Sequence, residues 1–333
     1  MGEFELLARI RARLPRPGPH LRLGSGDDAA ITVPGGATAT SVDALIDGVH
    51  FRRRWSSLAQ IGGKALAVAL SDLAAMGAEA GEAYVVLGVP ADLDEDGCLE
   101  LLDGLAAVAE ETGTTLAGGD VTRAPALTLA ITVVGHAESA DDLVTRSGAR
   151  PGDALVVTGE LGGAAAGLLL LDADSEARSP LVSPGQTKGE RARLIARQLE
   201  PRPRLAAGRA LAGTGATAMI DLSDGLGGDA GQIAAASGVG LRIEAATLPI
   251  EAGVAEPAKA AERDPLELAT SGGEDYELLA TLPAKLFAGA AAAVERQGGT
   301  TLTRIGEVVA GGGVEIRLPG GGLLAAAGFD QLG

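Results

Sequence analysis

Two kinds of apolar segment alternate along this 333-residue chain. Short runs rich in β-branched residues predict strands, and they are TATSV (38–42), LTLAITVV (127–134), ALVVT (154–158) and ATAMI (216–220). Longer Ala- and Leu-rich stretches have the spacing of helices, and they cover 62–77, 99–112 and 228–237. This alternation predicts a mixed α/β (α+β) fold built in layers.

The helix predicted over 62–77 has a clear buried stripe. Leu66, Leu70 and Leu73 follow the i, i+4, i+7 pattern, and Gly77 is expected to end the helix. Asp72 falls about 120° from the centre of the stripe. A carboxylate at that margin can face a cleft without entering the core.

The chain is long enough for two domains. Residues 137–153 are polar, contain Gly and Pro, and separate two sets of strands and helices, so we place the domain junction there. We predict an N-terminal domain of sheet and helices over 1–137 and a C-terminal α/β domain over 150–333. A Ser-, Pro- and Gly-rich stretch at 172–188 is expected to be a mobile loop.

The charge and cysteine content narrow the range of partners. With 27 basic and 44 acidic residues the net charge is -17, which repels nucleic acid and anionic membrane surfaces. Cys98 is the only cysteine and there are three histidines, so an internal disulfide is excluded and a Cys/His zinc site is implausible. The apolar runs stop short of the roughly 20 residues of a membrane span, and the N-terminus has no signal-peptide core. We expect a cytoplasmic protein.

Acidic residues gather beside Gly, Ser or Ala at the ends of predicted strands and helices. They are Asp27, Asp28, Asp43, Asp47, Asp72, Asp120, Asp221, Asp224, Asp229, Glu274 and Asp275. Any one site is explained as well by turn or N-cap chemistry, but convergence of several would need a cation, because two carboxylates about 4 Å apart repel by about 4 kcal/mol. Oxygen ligands without His or Cys favour Mg²⁺, Mn²⁺ or Ca²⁺, and Mg²⁺ also binds substrate phosphates. We expect the glycines of MIDLSDGLGGD (219–229) to let such phosphates approach the backbone.

Other motifs fit the spacing poorly. An EF-hand counted from Asp221 would have Leu226 and Gln232 where Gly and Glu are required. GSGDDA (24–29) and GLGGDA (225–230) match the dinucleotide fingerprint only weakly. The chain contains no GxxxxGK[ST] and no GxSxG, so any nucleotide is expected to be held through metals and Ser-hydrolase chemistry has no support.

Seven motifs in order resemble those of the thiamine-monophosphate kinase family, within the aminoimidazole-ribotide synthetase-like ATP enzymes. They are GDDAA, SVDALIDGVHF, ALSDLAAMGA, GGDVTR, TRSGARPGD, DLSDGL and SGGEDYEL, followed by GFD at 328–330. The resemblance implies ATP-dependent phosphorylation of thiamine monophosphate to thiamine diphosphate with several Mg²⁺ ions. It also implies a homodimer whose N-terminal domains pair their sheets into a barrel.

The resemblance also assigns site residues. Positions matching metal ligands are Asp28, Ser41, Val42, Asp43, Asp72, Asp120, Asp221 and Asp224. Positions matching ATP contacts are Gly119, Asp120, Arg146 and Ser223, and those matching contacts to the thiamine substrate are His50, Glu274 and Phe329. Asp43, Asp120, Arg146 and Asp224 are the residues we expect to act in catalysis. Val42 departs from the family, where a hydroxyl residue is frequent, so any metal contact there must come from its backbone carbonyl.

Less specific interpretations exist for several of these residues. Arg146 also fits a solvated linker cation, His50 a structural histidine, and Phe329 an anchor for the tail. Lys64 and Arg123 are expected to be surface cations.

The acceptor phosphate is ionised at neutral pH, so direct in-line transfer needs no general base. The rival functions are another ATP enzyme of the same superfamily and a non-enzymatic sensor of divalent cations or nucleotide.

Overall fold

The computed structural model describes residues 3–14, 18–24, 30–176 and 187–329. The contacts divide the chain into two compact units, one of Met1–Leu73 with Ala78–Asp141 and one of Ala74–Gly77 with Asp142–Gly333. Both units contain sheets and helices, so the mixed α/β class is confirmed. The domain bounds 1–137 and 150–333 stay a prediction. Asp28 and most of the stretch 172–188 lie outside the described residues.

The first unit has a four-stranded sheet in the order β3-β6-β4-β5 and a separate hairpin of β1 and β2. Its elements are α1 (Glu3–Arg13), β1 (Leu21–Leu23), β2 (Ile31–Thr32), β3 (Ala37–Ile46), α2 (Leu58–Met76), β4 (Glu79–Val89), α3 (Glu95–Thr112), β5 (Thr115–Arg123) and β6 (Thr128–Ala137). The strands predicted at 38–42 and 127–134 are therefore confirmed as β3 and β6.

One face of this sheet is buried and the other is open. Side chains alternate between the two faces of a strand, so Ile131 of β6 is fully buried whereas Val42 of β3 is 66% exposed. Val86 of β4 is also exposed on the open side. Strands β3 and β5 are the outermost strands of the sheet.

Helix α2 confirms the stripe predicted from its spacing. Leu66, Leu70 and Leu73 are buried, and Gly77 follows the helix with φ of +69°. The same helix is long and apolar enough by length and composition to cross a membrane, but 72% of that window is buried, as in the core helix of a soluble protein. Lys64 is only 4% exposed, so its expected surface position was wrong. The long aliphatic stem of lysine packs readily in a helix of this composition.

The second unit contains a seven-stranded sheet in the order β13-β12-β9-β11-β7-β10-β8. Its strands are β7 (Asp153–Thr158), β8 (Ala218–Asp221), β9 (Gly240–Glu244), β10 (Leu278–Pro283), β11 (Leu302–Val309), β12 (Gly313–Arg317) and β13 (Leu323–Leu324). Its helices are α4 (Gly163–Glu176), α5 (Lys188–Leu199), α6 (Leu205–Gly213), α7 (Leu226–Ser237), α8 (Ala255–Ala260), α9 (Pro265–Ser271) and α10 (Phe287–Gly298). The core includes Leu155, Val157 and Leu279, all fully buried.

Candidate functional site

A carboxylate pair lies in the first unit, between β3 and α2. Ser41 and Asp43 are two residues apart on β3 and therefore point to the same face. Asp72 of α2 reaches this face, and the Ser41 hydroxyl donates a hydrogen bond to its carboxylate. Burial, and secondly the charge of Asp72, raise the pKa of Asp43 to about 6. Two crowded carboxylates with a hydroxyl form an oxygen-only donor set, which fits Mg²⁺.

Two other residues of the β3 segment lie apart from this pair. The side chain of Val42 is on the opposite, exposed face, so a contact between Val42 and a metal stays a prediction about its backbone carbonyl. Asp47 forms an ion pair with Arg53 (Nε to Oδ2, 2.8 Å), and Arg53 also contacts Asp92 at 2.7 Å. The extra acid of this loop therefore has a cation of its own.

His50 lies half-buried in the turn after β3. The backbone N–H of Ile46 donates to Nδ1 of the imidazole at 3.2 Å. Because Nδ1 accepts this bond, a neutral His50 carries its proton on Nε2. The contact orients the ring and leaves a role in binding the thiamine substrate as a prediction.

Gly119 and Asp120 lie on β5, at the far edge of the sheet from Asp43. Strands β6 and β4 separate β3 from β5, which corresponds to about 14 Å between the outer strands. A Cβ on Gly119 would come 1.9 Å from the carbonyl oxygen of Val85, so sheet pairing requires glycine here whether or not ATP binds. Within the described part of one chain, Asp120 does not join the Asp43 and Asp72 pair.

The second unit places Asp221 in the last position of β8, and Ser223 and Asp224 between β8 and α7. Asp221 ends β8, and Gly225 precedes α7 with φ of +105°, where a side chain would be strained. The carboxylate of Asp229, in the first turn of α7, accepts hydrogen bonds from the backbone N–H groups of Ser223 and Asp224, both at 3.1 Å. Burial, and then the charges of Asp221 and Asp224, raise the pKa of Asp229 to about 7.

Both remaining motifs are hydrogen-bonded to this turn. The N–H of Glu274 donates to the carbonyl of Ser223 at 2.8 Å, and the N–H of Phe329 donates to the carbonyl of Asp224 at 2.9 Å. Three motifs that are far apart in the sequence therefore meet at the start of α7. The side chain of Phe329 is 65% exposed, so it is not a buried anchor for the tail.

The glycines of this turn serve packing within the protein. A Cβ on Gly227 would lie 2.7 Å from the carbonyl oxygen of Ala327, and one on Gly228 would lie 2.9 Å from Cα of Gly328. The C-terminal segment thus crosses directly over the start of α7. This crossing accounts for two of the glycines without any phosphate, which the sequence interpretation did not anticipate.

The loop that carries Glu274 has an unusual backbone. The backbone φ is +70° at Gly273, +59° at Glu274 and +48° at Tyr276. Residues other than glycine rarely adopt this backbone conformation. Asp275 holds the loop by accepting hydrogen bonds from the N–H groups of Gly162 (2.8 Å) and Ala164 (3.3 Å). Burial outweighs these bonds and raises the pKa of Asp275 to about 7.

Arg146 lies away from Ser223 within the second unit. Its carbonyl accepts a hydrogen bond from the hydroxyl of Ser237, the last residue of α7, at 3.2 Å. Ser223 precedes the opposite end of this 12-residue helix, which is about 18 Å long. The side chain of Arg146 is exposed, and its contact with ATP stays a prediction.

The residues predicted from the sequence form one group in each unit. In the first unit Ser41, Asp43 and Asp72 lie together, and two strands separate Asp120 from them. In the second unit Asp221, Ser223, Asp224, Glu274 and Phe329 lie together, and Arg146 lies at the other end of α7. Among the described residues, no group of three or more His, Cys, Asp or Glu side chains could hold a metal by itself. The structure adds Asp229 and Asp275 to the residues of the site, because their carboxylates accept hydrogen bonds from its backbone. Both belong to the acidic motifs of the sequence, but their contacts are visible only in the fold.

Both parts of the chain match known proteins. Residues 26–137 match the family model "AIR synthase related protein, N-terminal domain", and residues 150–319 match "AIR synthase related protein, C-terminal domain". Thiamine-monophosphate kinase of Escherichia coli K12 is 39% identical over 314 residues, covering 93% of this chain and 91% of the relative. The crystal structure of thiamine-monophosphate kinase from Stenotrophomonas maltophilia K279a superposes with a TM-score of 0.82 at 36% identity, covering 95% and 96% of the two chains. AaThiL complexed with AMPPCP and TMP superposes with a TM-score of 0.73 at 28% identity, covering 98% of this chain and 96% of that one.

Proposed function

This chain belongs to the thiamine-monophosphate kinase family, and we propose that it transfers the γ-phosphate of ATP to thiamine monophosphate, forming thiamine diphosphate and ADP. The observation that carries this proposal is the meeting of three motifs at the start of α7. Ser223 and Asp224, matched to ATP and metal, are bonded through their backbone carbonyls to Glu274 and Phe329, matched to the thiamine substrate. The residues matched to the phosphate donor, ATP, are therefore neighbours of the residues matched to the phosphate acceptor, thiamine monophosphate.

The negative charge of the crowded carboxylates favours the binding of a divalent cation. Asp43 is forced toward protonation by burial and by Asp72, and a cation would relieve both effects. We propose that Asp43 and Asp72 hold Mg²⁺ in the first unit, with Asp120 and the carbonyl of Val42 as further ligands, and that Asp221 and Asp224 hold Mg²⁺ in the second. Mg²⁺ bound there would offset the negative charge of the phosphates of both substrates.

The remaining residues bind and orient the substrates. The carboxylate of Glu274 and the exposed ring of Phe329 offer a negative charge and an aromatic face to the cationic thiazolium, and His50 is proposed as a further contact of the thiamine substrate. Arg146 would pair with ATP phosphate. No residue has to remove a proton, because the acceptor phosphate is already ionised.

The direct test is an acceptor assay. The purified chain is incubated with ATP, Mg²⁺ and thiamine monophosphate, and thiamine diphosphate is measured by chromatography after oxidation to a fluorescent product. We expect thiamine diphosphate and ADP in equal amounts, and no product from unphosphorylated thiamine. Folded protein that makes no thiamine diphosphate would overturn the proposal.

We also propose that the chain acts as a homodimer in the cytoplasm. The open face of the four-stranded sheet exposes Val42 and Val86, and in the described part of the chain the sheet ends at its edge strands β3 and β5. Such edges and apolar faces favour pairing with a second copy. Pairing β5 of one chain with β3 of its partner would bring the strand that carries Asp120 of one chain next to the strand that carries Asp43 of the other.

A lysine on the open face should separate the dimer. In Val86→Lys an ammonium without a partner would be buried between the two sheets, which costs several kcal/mol. We expect the mass measured by light scattering to fall from twice 33.0 kDa to the single-chain value. Leu323→Lys places the same change at an exposed apolar residue of β13 and should leave the mass unchanged. A Val86→Lys variant that keeps the wild-type mass would contradict the proposed interface.

A further inference from the structure

Gln198, in the last turn of α5, contacts the carboxylate of Glu274. Its side-chain amide nitrogen donates a hydrogen bond to Oε2 of Glu274. Gln198 is 5% exposed, so the amide is held by packing as well as by this bond. The contact joins residues 76 positions apart, and neither the motifs nor the family comparison assigns a role to Gln198.

The backbone of the Glu274 loop is fixed by other groups. Glu274 donates its N–H to Ser223, and the carboxylate of Asp275 accepts from Gly162 and Ala164. Arg197, the neighbour of Gln198, donates to the carbonyl of Asp275 at 3.4 Å and to Glu277 at 3.1 Å. These contacts set where the loop lies. They leave the direction of the Glu274 carboxylate to contacts of the side chain itself, such as that with Gln198.

A second set of charges near Glu274 is already paired. Glu277 is fully buried and accepts hydrogen bonds from Arg197, Arg204 and the hydroxyl of Thr158. Arg197 also contacts Glu251 at 3.0 Å. The nearby arginines therefore balance Glu277 and Glu251, whereas the donor supplied to Glu274 by α5 is a neutral amide.

A neutral donor has a consequence that a cation would not have. An amide N–H fixes the torsion of a carboxylate, which is otherwise broad, and it does not cancel the negative charge. Gln198 engages one carboxylate oxygen of Glu274 without itself neutralising the group. Arginine or lysine at this position would orient Glu274 and neutralise it at the same time.

We propose that Gln198 is a positioning residue that sets the affinity and charge preference of the acceptor site through Glu274. This inference rests on the proposed function, because it takes thiamine monophosphate as the ligand of Glu274. Gln198 touches neither substrate in this proposal. Its effect appears in the binding of the cationic acceptor and is absent from the binding of ATP.

The test compares two substitutions at Gln198. Gln198→Met keeps the length of the side chain and removes the donor, and Gln198→Lys keeps a donor and adds a positive charge. We expect the KM for thiamine monophosphate to rise about tenfold in Gln198→Met, the effect of losing one hydrogen bond to a charged group, and further in Gln198→Lys. The KM for ATP and kcat should stay within about twofold of wild type, since neither depends on Glu274 orientation. Gln232→Met, at an exposed position of α7, is the matched control.

A double variant separates positioning from a general loss of packing. In a Glu274→Ala background, Gln198→Met should change the acceptor KM less than twofold, because the group that it positions is already gone. An unchanged acceptor KM in Gln198→Met, or an equal rise in the KM for ATP, would overturn the inference while leaving the kinase activity established. A wild-type chain that forms no thiamine diphosphate would instead overturn the proposed function.

Discussion

Replacing Asp43 with asparagine is expected to abolish turnover and to stabilise the metal-free protein. Loss of a carboxylate from the proposed Mg²⁺ site should lower kcat on the order of 10³-fold. The same change removes a charge that is costly in the fold, because burial and Asp72 raise the pKa of Asp43 to about 6. Most single substitutions destabilise a protein, so a gain in stability would be a distinctive result.

The sign of the pH dependence follows from the raised pKa of Asp43. A carboxyl whose folded pKa lies above its unfolded value of 3.8 contributes stability at low pH that is lost as pH rises through about 6. At pH 8 the wild type therefore lacks this contribution, whereas the neutral asparagine side chain of the variant has no proton to lose. Asp43 is only half-buried, so solvent screening reduces the expected gain to about 1 kcal/mol, or about 3 °C in Tm.

Thermal unfolding without metal checks this expectation. The Tm of Asp43→Asn should exceed that of wild type at pH 8, and the difference should shrink at pH 5. Adding Mg²⁺ at pH 8 should raise the Tm of wild type more than that of the variant. A Tm difference that does not depend on pH would show that Asp43 is not under electrostatic stress.

Asp120→Asn should also abolish turnover while leaving the fold intact, and a mixed dimer should recover it. Asp120 is exposed on β5, and two strands separate β5 from β3. If each site combines Asp43 of one chain with Asp120 of its partner, a heterodimer of Asp43→Asn and Asp120→Asn has one site with both changes and one intact site. Its activity should be about half that of the wild-type dimer.

A different affinity tag on each variant allows the heterodimer to be separated from both homodimers. The two variants are expressed together, the heterodimer is purified through both tags in turn, and each homodimer serves as the control. Both homodimers should be inactive. A heterodimer as inactive as the homodimers would place Asp43 and Asp120 in the site of a single chain and would contradict pairing between β3 and β5.

Several of the strands and helices were predictable from the sequence because their signals are local. β-Branched runs gave β3, β6, β7 and most of β8, and the spacing of Leu66, Leu70 and Leu73 gave α2 and its buried face. The place of Asp72 at the margin of that face was also predicted, and Ser41 meets it there. Each of these conclusions depends on the direction of side chains, which repeats every two residues in a strand and every 3.6 residues in a helix. A short segment of sequence is therefore enough to show the pattern.

The grouping of the acidic residues was not predictable in the same way. Strand order separates Asp120 from Asp43, and order is set by packing across the whole sheet. Gly227 and Gly228 suggested a phosphate, but the C-terminal segment occupies the space beside them. Gln198 carries no motif at all, since its role comes from contact with a residue 76 positions away.

The most direct measurement is a titration of Mn²⁺, as a spectroscopic substitute for Mg²⁺, followed by electron paramagnetic resonance with and without a non-hydrolysable ATP analogue. Wild type should bind Mn²⁺ more tightly when the analogue is present, and Asp43→Asn and Asp224→Asn should each lose affinity or bound ions relative to wild type and to the control Asp92→Asn. Equal Mn²⁺ binding in wild type, Asp43→Asn and Asp224→Asn would contradict the claim that these carboxylates hold the metal on which phosphoryl transfer depends.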